Sequence, residues 1–212
     1  MPQILGGVPL FIRGMTLNLD RQGFLFNASS CAPGAISADI SSVAGSAVTR
    51  SDPYTPSGCE ALPFAPNFVA SLSGDLNKPA LHVTMRPRAG DSTISSMRMT
   101  LPSPLGADPN KLGDTCAEAA FLAGRCPAKS KIGDAVAVSP IIPDPLSGPV
   151  YLAQLPGQPL PGLAVSLHGL IDMPITIVND ISRVGGSNLL SSTVRGIPDV
   201  PLTSFDLQLN AG

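Results

Sequence analysis

Leu163-Ala164-Val165-Ser166-Leu167-His168 is the stretch on which the fold class turns. Leu163, Val165 and Leu167 alternate with Ala164, Ser166 and His168, and a period of two sends the two sets to opposite faces of an extended chain. One set is apolar and the other small or polar, so the segment reads as a half-buried strand of an antiparallel sheet, with one face on a core and the other toward water. The same alternation recurs on either side. Upstream, Leu81, Val83 and Met85 oppose Ala80, His82 and Thr84; downstream, Thr203, Phe205, Leu207 and Leu209 carry Asp206 and Gln208 on the wet face. Further strands are expected at 9–19, 35–43, 46–50, 66–73, 92–101, 133–142, 148–153, 173–183 and 188–196. Between them, Ala44-Gly45, Ala89-Gly90-Asp91 and Gly185-Gly186 provide residues able to take the positive φ of tight hairpin turns. Many short strands punctuated in this way predict an all-β protein, an antiparallel β-sandwich of Ig-like or related type.

Composition agrees. The chain has 212 residues, of which 43% are apolar and only 13% charged, with 23 Pro and 21 Gly. That apolar share is enough for a core, and the Pro and Gly density is more than a helical protein could carry. A formal net charge of −2, with the basic residues scattered, leaves no electrostatic footprint for nucleic acid or an anionic membrane. Every apolar run is interrupted well short of the roughly 18 residues of a spanning helix. The opening Met1-Pro-Gln-Ile-Leu-Gly-Gly-Val-Pro-Leu10 has neither a basic start nor a long apolar core, so it does not read as a signal peptide.

The four cysteines fall into two pairs near in sequence, Cys31 with Cys59 and Cys116 with Cys126. This suits a disulfide framework, the alternative being reduced core cysteines. Extracellular-type cysteines without an export signal suggest a piece of a longer exported chain. One helix is expected near 116–123. Thr115-Cys-Ala-Glu118 fits a capping box, and Gly124 can stop the helix in the left-handed conformation. A bridge from Cys116 to Cys126 would close it. Composition changes around Cys59-Glu-Ala-Leu-Pro-Phe-Ala-Pro66, which divides the chain into a small β unit, 1–62, and a larger sandwich, 63–212. The small unit has too few strands to close a core alone, so it is expected to pack on or complete a neighbouring domain.

Several motifs line up in order over nearly the whole chain: Ile4-Leu-Gly-Gly-Val-Pro-Leu10, Gly23-Phe-Leu-Phe-Asn27 leading to Ser30-Cys31, Gly58-Cys-Glu-Ala-Leu-Pro-Phe-Ala-Pro66, Cys126-Pro-Ala-Lys-Ser-Lys-Ile-Gly133, Pro145-Leu-Ser-Gly-Pro-Val-Tyr-Leu152 and Ile197-Pro-Asp-Val-Pro-Leu-Thr-Ser-Phe205. Together they resemble segments of large, secreted actinobacterial surface-type proteins built from repeated Ig-like β domains. The resemblance implies an exported, cell-surface setting and supplies no catalytic residues. Asn27-Ala-Ser-Ser-Cys31 departs from the Asn-Pro-Thr-Ser-Cys associated with that group, a change confined to one turn.

Ser166, His168 and Asp172 are the candidate catalytic residues, since a nucleophile, a base and an orienting acid occur within seven residues. No Gly-x-Ser-x-Gly accompanies them, and triad members usually converge from separate elements, so a polar strand face is the preferred reading. For metals, the imidazoles are only His82 and His168, and the cysteine spacing is not that of zinc. Asp108-Pro-Asn-Lys-Leu-Gly-Asp114 has the outline of a calcium loop but places Leu112 at a ligand position and Ala119 at the twelfth, so it reads as a turn before the helix. No phosphate-binding glycine loop occurs, and no cofactor is expected. The match of Asn27-Ala28-Ser29 to a glycosylation sequon reads as a turn before Cys31. Candidate contact residues for a ligand are Tyr54, Tyr151, Gln154 and Gln158, with Tyr151 expected to be half-buried. The loops 86–91, 143–149 and 154–162 are expected at one end of the sandwich, where any binding site would lie. The leading expectation is thus a non-catalytic structural or adhesive module whose partners are neighbouring domains of a longer chain. An extracellular polymer- or glycan-binding module comes second, and a hydrolase with an unfamiliar site third.

Overall fold

The structure is a computed structural model and describes residues 4–5, 8–9, 14–21, 24–25, 27–75, 78–102 and 112–210. Its strands are β1 (Ile4–Leu5), β2 (Val8–Pro9), β3 (Gly34–Ser41), β4 (Ala47–Tyr54), β5 (Asn67–Gly74), β6 (Pro79–Arg86), β7 (Ser96–Thr100), β8 (Cys116–Ala117), β9 (Lys131–Val138), β10 (Leu146–Gln154), β11 (Gly162–Leu167), β12 (Met173–Val184), β13 (Ser187–Arg195) and β14 (Ser204–Asn210). Among the described residues one α-helix, α1, spans Glu118–Leu122. The fold is therefore antiparallel all-β with one short, disulfide-closed helix, as the alternation and the Pro and Gly density imply.

A single sheet dominates, in the order β5-β6-β14-β9-β10-β11-β12-β13-β7, with every neighbour antiparallel; β8 adds to β10 in parallel, while β1-β2 and β3-β4 form separate two-stranded sheets. Val83 on β6, Leu207 on β14, Ala135 on β9, Val150 on β10, Val165 on β11, Ile177 on β12 and Val194 on β13 share one core cluster, and Met97 and Met99 of β7 pack against it. For strands near opposite ends of the path to share a core, the sheet must curl round on itself. The curled sheet thereby closes its alternating apolar faces around one core. On the other face, Ala153, Ala164 and Leu155 form a smaller cluster with Phe121 of α1 and Cys116, so the helix covers only that corner.

Both cysteine pairs are bridged as expected, Cys31 to Cys59 with 5.7 Å between Cα atoms and Cys116 to Cys126 with 5.2 Å. Gly124 ends the helix region at φ 66°. The Thr115 capping box does not form. Cys116 and Ala117 instead pair with Ala153 and Gln154 of β10, so Ala117 becomes the N-cap and has no side-chain cap. Local propensity here yields to the ladder, which satisfies backbone groups that a longer helix would have satisfied itself. Ala89-Gly90-Asp91 makes a turn, with Gly90 at φ 85°, but it is not a hairpin turn because β6 pairs with β5 and β14 rather than with β7. Residues 14–19 of the expected strand 9–19 carry no strand, and residues 10–13 of it lie outside the described residues. The registers correct the loop placement as well. Leu146 pairs with Ala137 and Ala153 with Gly162, so loop 154–162 lies at the end of the sheet opposite to loops 86–91 and 139–145.

Candidate functional site

Two places bring chemically useful groups together. The first follows from the alternation on β11. Leu163, Val165 and Leu167 point into the core, so Ser166 and His168 stand on the outer face. Pro174 of β12 lies opposite Ser166, and Ser147 of β10 bridges His168 through two backbone hydrogen bonds of 2.9 and 3.0 Å. Beyond His168 the chain bends through 169–171 before β12 begins. Gly169 lies close against Leu146 in this bend, where an added Cβ would sit 2.5 Å from Leu146 Cδ2. The bend returns Asp172 to His168.

The outcome is a hydrogen-bonded chain of all three candidate residues. Ser166 Oγ lies 2.9 Å from His168 Nε2, and His168 Nδ1 lies 2.8 Å from Asp172 Oδ1. The two contacts use opposite ring nitrogens, so one tautomer serves both: Nδ1–H donates to the carboxylate while Nε2 accepts from the serine hydroxyl. Sequence spacing argued against convergence because the three residues share one stretch, and the bend at Gly169 is what that argument lacked. The site is open, with the His168 side chain 56% and the Asp172 side chain 77% exposed.

The second place is a cleft of about 580 Å³ between residues 27–29, 56–62, 87–93 and 201–203. Pro56, Pro87, Pro140 and Pro201 stiffen its walls, and Asn27, Ser57 and Arg88 line it with polar groups. Asp199 holds its base together. Its Oδ1 accepts from the Ser29 hydroxyl at 2.8 Å, the Ser29 N–H at 3.1 Å and the Thr93 hydroxyl, while Oδ2 accepts from the Ser30 N–H at 2.8 Å. Burial pushes the Asp199 carboxyl up, but hydrogen bonds from Thr93, Ser30 and Ser29 outweigh it and hold the group well below the usual carboxylate range. Beside it, the Arg88 side chain bonds to Asp91 and lowers that carboxyl too. The serine of the Asn27-Ala28-Ser29 sequon is thus a clasp between the N-terminal segment and the sheet.

The remaining candidates are dispersed. Tyr54 is exposed at the end of β4, its ring lying over Gly34. Tyr151 is half-buried against the helix-side cluster. Gln154 and Gln158 serve their own turn, Gln154 Nε2 donating to the Gln158 carbonyl at 3.3 Å. Among the described residues no cluster of His, Cys, Asp or Glu could hold a metal, and residues 108–111 of the calcium-like loop lie outside them; Asp114 pairs with Lys129 at 2.7 Å. No helix among the described residues is long and apolar enough to cross a membrane. In comparisons with known proteins, no family model, no curated protein and no solved structure matches the chain.

Proposed function

We propose that this chain is a structural or adhesive β-module of a large exported surface protein, its partners being neighbouring modules of the same polypeptide. The observation that carries the reading is the β3–β4 hairpin. Every residue of it after Gly34 is exposed, and its register puts Ile36, Ile40, Val48 and Tyr54 on one face. A two-stranded ribbon is marginal in water unless something covers it, so an exposed ribbon whose face carries these apolar side chains together with Arg50 and Asp52 is suited to packing on an adjacent module. Two disulfides support an oxidising, secreted or cell-surface setting. Amide hydrogen exchange tests the idea: residues 34–54 should exchange more slowly in the parent polypeptide than in the isolated chain, and equal rates would sink it.

The cleft favours a second reading, an extracellular polymer- or glycan-binding module. Rigid proline walls set with a few polar side chains, Asn27, Ser57 and Arg88 among them, can hold a polyhydroxylated chain at low entropic cost. A glycan array separates the two readings. Retention of a polymer that is lost in Arg88→Ala supports the second, and no retained polymer removes it.

A further inference from the structure

Beyond a module's packing role, the outer face of β11 carries a feature that packing does not require. The two hydrogen bonds of Ser166, His168 and Asp172 run in the polarity needed to draw a proton from the serine hydroxyl. Gly148 of β10 keeps the floor of this site low. A Cβ there would run into the Ser166 carbonyl and come within 3.3 Å of His168 Cδ2. Between His168 and Asp172, the bend presents Leu170 and Ile171, 70% and 46% exposed, so apolar side chains stand beside the relay at the surface. The cleft is built from other residues, and the relay instead lies on an open face, with His168 and Asp172 largely exposed.

We propose that Ser166, His168 and Asp172 form an esterolytic site for carboxylic esters presented in a lipid assembly, with Leu170 and Ile171 entering the acyl layer. In water the relay is screened; docking against an acyl layer excludes water from the face of β11 and strengthens each electrostatic contact in it. Ser166 Oγ attacks the ester carbonyl carbon while His168 Nε2 takes the hydroxyl proton. The bond from that carbon to the alcohol oxygen breaks, and the imidazolium proton passes to the leaving oxygen, releasing the alcohol and leaving the acyl group on Ser166. His168 Nε2 then takes a proton from water as the water oxygen attacks the acyl carbon. The Ser166 ester bond breaks, and the proton returns to Ser166 Oγ as the carboxylic acid departs. Asp172 Oδ1 accepts the hydrogen bond from His168 Nδ1–H throughout.

The test uses the whole chain with a fluorophosphonate probe, followed by peptide mass spectrometry, together with p-nitrophenyl palmitate in phosphatidylcholine vesicles and p-nitrophenyl acetate in solution. Labelling is expected at Ser166 and should fall by about 10²-fold or more in His168→Ala, the usual loss on removing a general base. The palmitate should be hydrolysed in vesicles, Ser166→Ala should abolish this, and Leu170→Ser with Ile171→Ser should lower the vesicle rate relative to the solution rate. Val184→Ser, at an exposed apolar position on the β12–β13 tip, should leave both rates unchanged. Both relay substitutions are at the surface, and an unchanged circular dichroism spectrum confirms that the variants fold. Absence of label at Ser166, label indifferent to His168→Ala, or hydrolysis of neither substrate would overturn the esterase. Turnover of the acetate alone would overturn the lipid assignment.

Discussion

Hairpins β3–β4 and β12–β13 both turn on glycine at positive φ, Gly45 at 89° in the first and Gly185 and Gly186 at 56° and 85° in the second. Each is a continuous antiparallel ladder of eight paired positions. Yet β12–β13 buries Ile177, Asn179, Ser191, Ser192 and Val194, whereas β3–β4 buries none of its residues. Ladder hydrogen bonds replace bonds to water and contribute little net stability, so burial separates the two. Hairpin β12–β13 is held by the half of its length away from the turn, where even the buried polar groups are bonded, Ser192 Oγ donating to Asn179 Oδ1 at 2.7 Å and Asn179 Nδ2 donating to the Pro161 carbonyl at 2.8 Å. Hairpin β3–β4 is held at its base, by the Cys31–Cys59 bridge and the Asp199 clasp.

The widest gap should come from truncating one apolar side chain in each region. Leu167, 1% exposed, sits in the curled core, and Leu167→Ala should cost ~2–5 kcal/mol by lost burial plus the cavity left behind. Ile36, 69% exposed, offers nothing comparable, and Ile36→Ala should stay within ~0.5 kcal/mol. Urea unfolding of both variants checks this. Equal losses would mean that β3–β4 is packed after all, and the contrast would collapse.

Removing each disulfide comes next. Cys116 is fully buried beside Phe121, so replacing Cys116 and Cys126 with Ser should lower global stability by ~2–4 kcal/mol, the usual range for a closed loop. Replacing Cys31 and Cys59 should instead release the ribbon. Exchange of amides 34–54 should speed up while the urea midpoint of the sheet barely moves. A large drop in that midpoint would show that the ribbon and the sheet unfold together.

The same contrast governs what could be read from the residues. Alternation at 81–85, 163–168 and 203–209 placed strands to within a residue or two, because a half-buried strand writes its burial into every second side chain. The curl was not legible, since a strand's alternation is the same whether its partner face belongs to a second sheet or to the far side of its own. The Cys116 ladder was missed because a capping box and a short parallel bridge compete for the same residues, and only β10 decides between them. At the site, the shared face of Ser166 and His168 was legible from period two, but Asp172's return was not. That depends on the bend held between the His168–Ser147 bridge and the start of β12 on Leu167, pairings not visible in the residues themselves. Asp199 was missed outright. Its one signal, an acid in the proline-flanked Ile197-Pro-Asp-Val-Pro201, looks like an ordinary turn until Ser29, Ser30 and Thr93 arrive from elsewhere.

Asp199→Asn keeps the size of that clasp and removes its charge, so it should loosen residues 27–31 by ~1–3 kcal/mol, the cost of a weakened set of hydrogen bonds to a charged group. The dependence on pH has a definite sign. Because the folded-state carboxyl titrates below its ordinary value of 3.8, the unfolded chain binds the proton more readily. The clasp is at full strength above that ordinary value, weakens as pH falls below it, and is spent once pH passes the lower folded-state value. Protection of amides 27–31, corrected for the intrinsic pH dependence of exchange, should therefore fall in acid in the native chain and show no such step in Asp199→Asn. A step of equal size in the variant would assign the acid sensitivity to another group.

The smallest effect sharpens the comparison most, because it applies one perturbation to both hairpins. Gly45 at φ 89° and Gly186 at φ 85° share a backbone conformation that L side chains rarely adopt, and neither has an atom within 4 Å of an added Cβ. Alanine at either position therefore meets no clash, only the backbone cost of the left-handed region, about 1 kcal/mol. In Gly186→Ala that cost falls on a hairpin whose strands carry core residues, so global unfolding should shift by about that amount. In Gly45→Ala it falls on a ribbon that opens independently of the sheet, so the global midpoint should stay in place and only the exchange of amides 34–54 should quicken. If the two variants lower the midpoint equally, strain at the tip of β3–β4 is reaching the core, and the base ties at Cys59 and Asp199 must be stiff enough to couple the ribbon to the sheet.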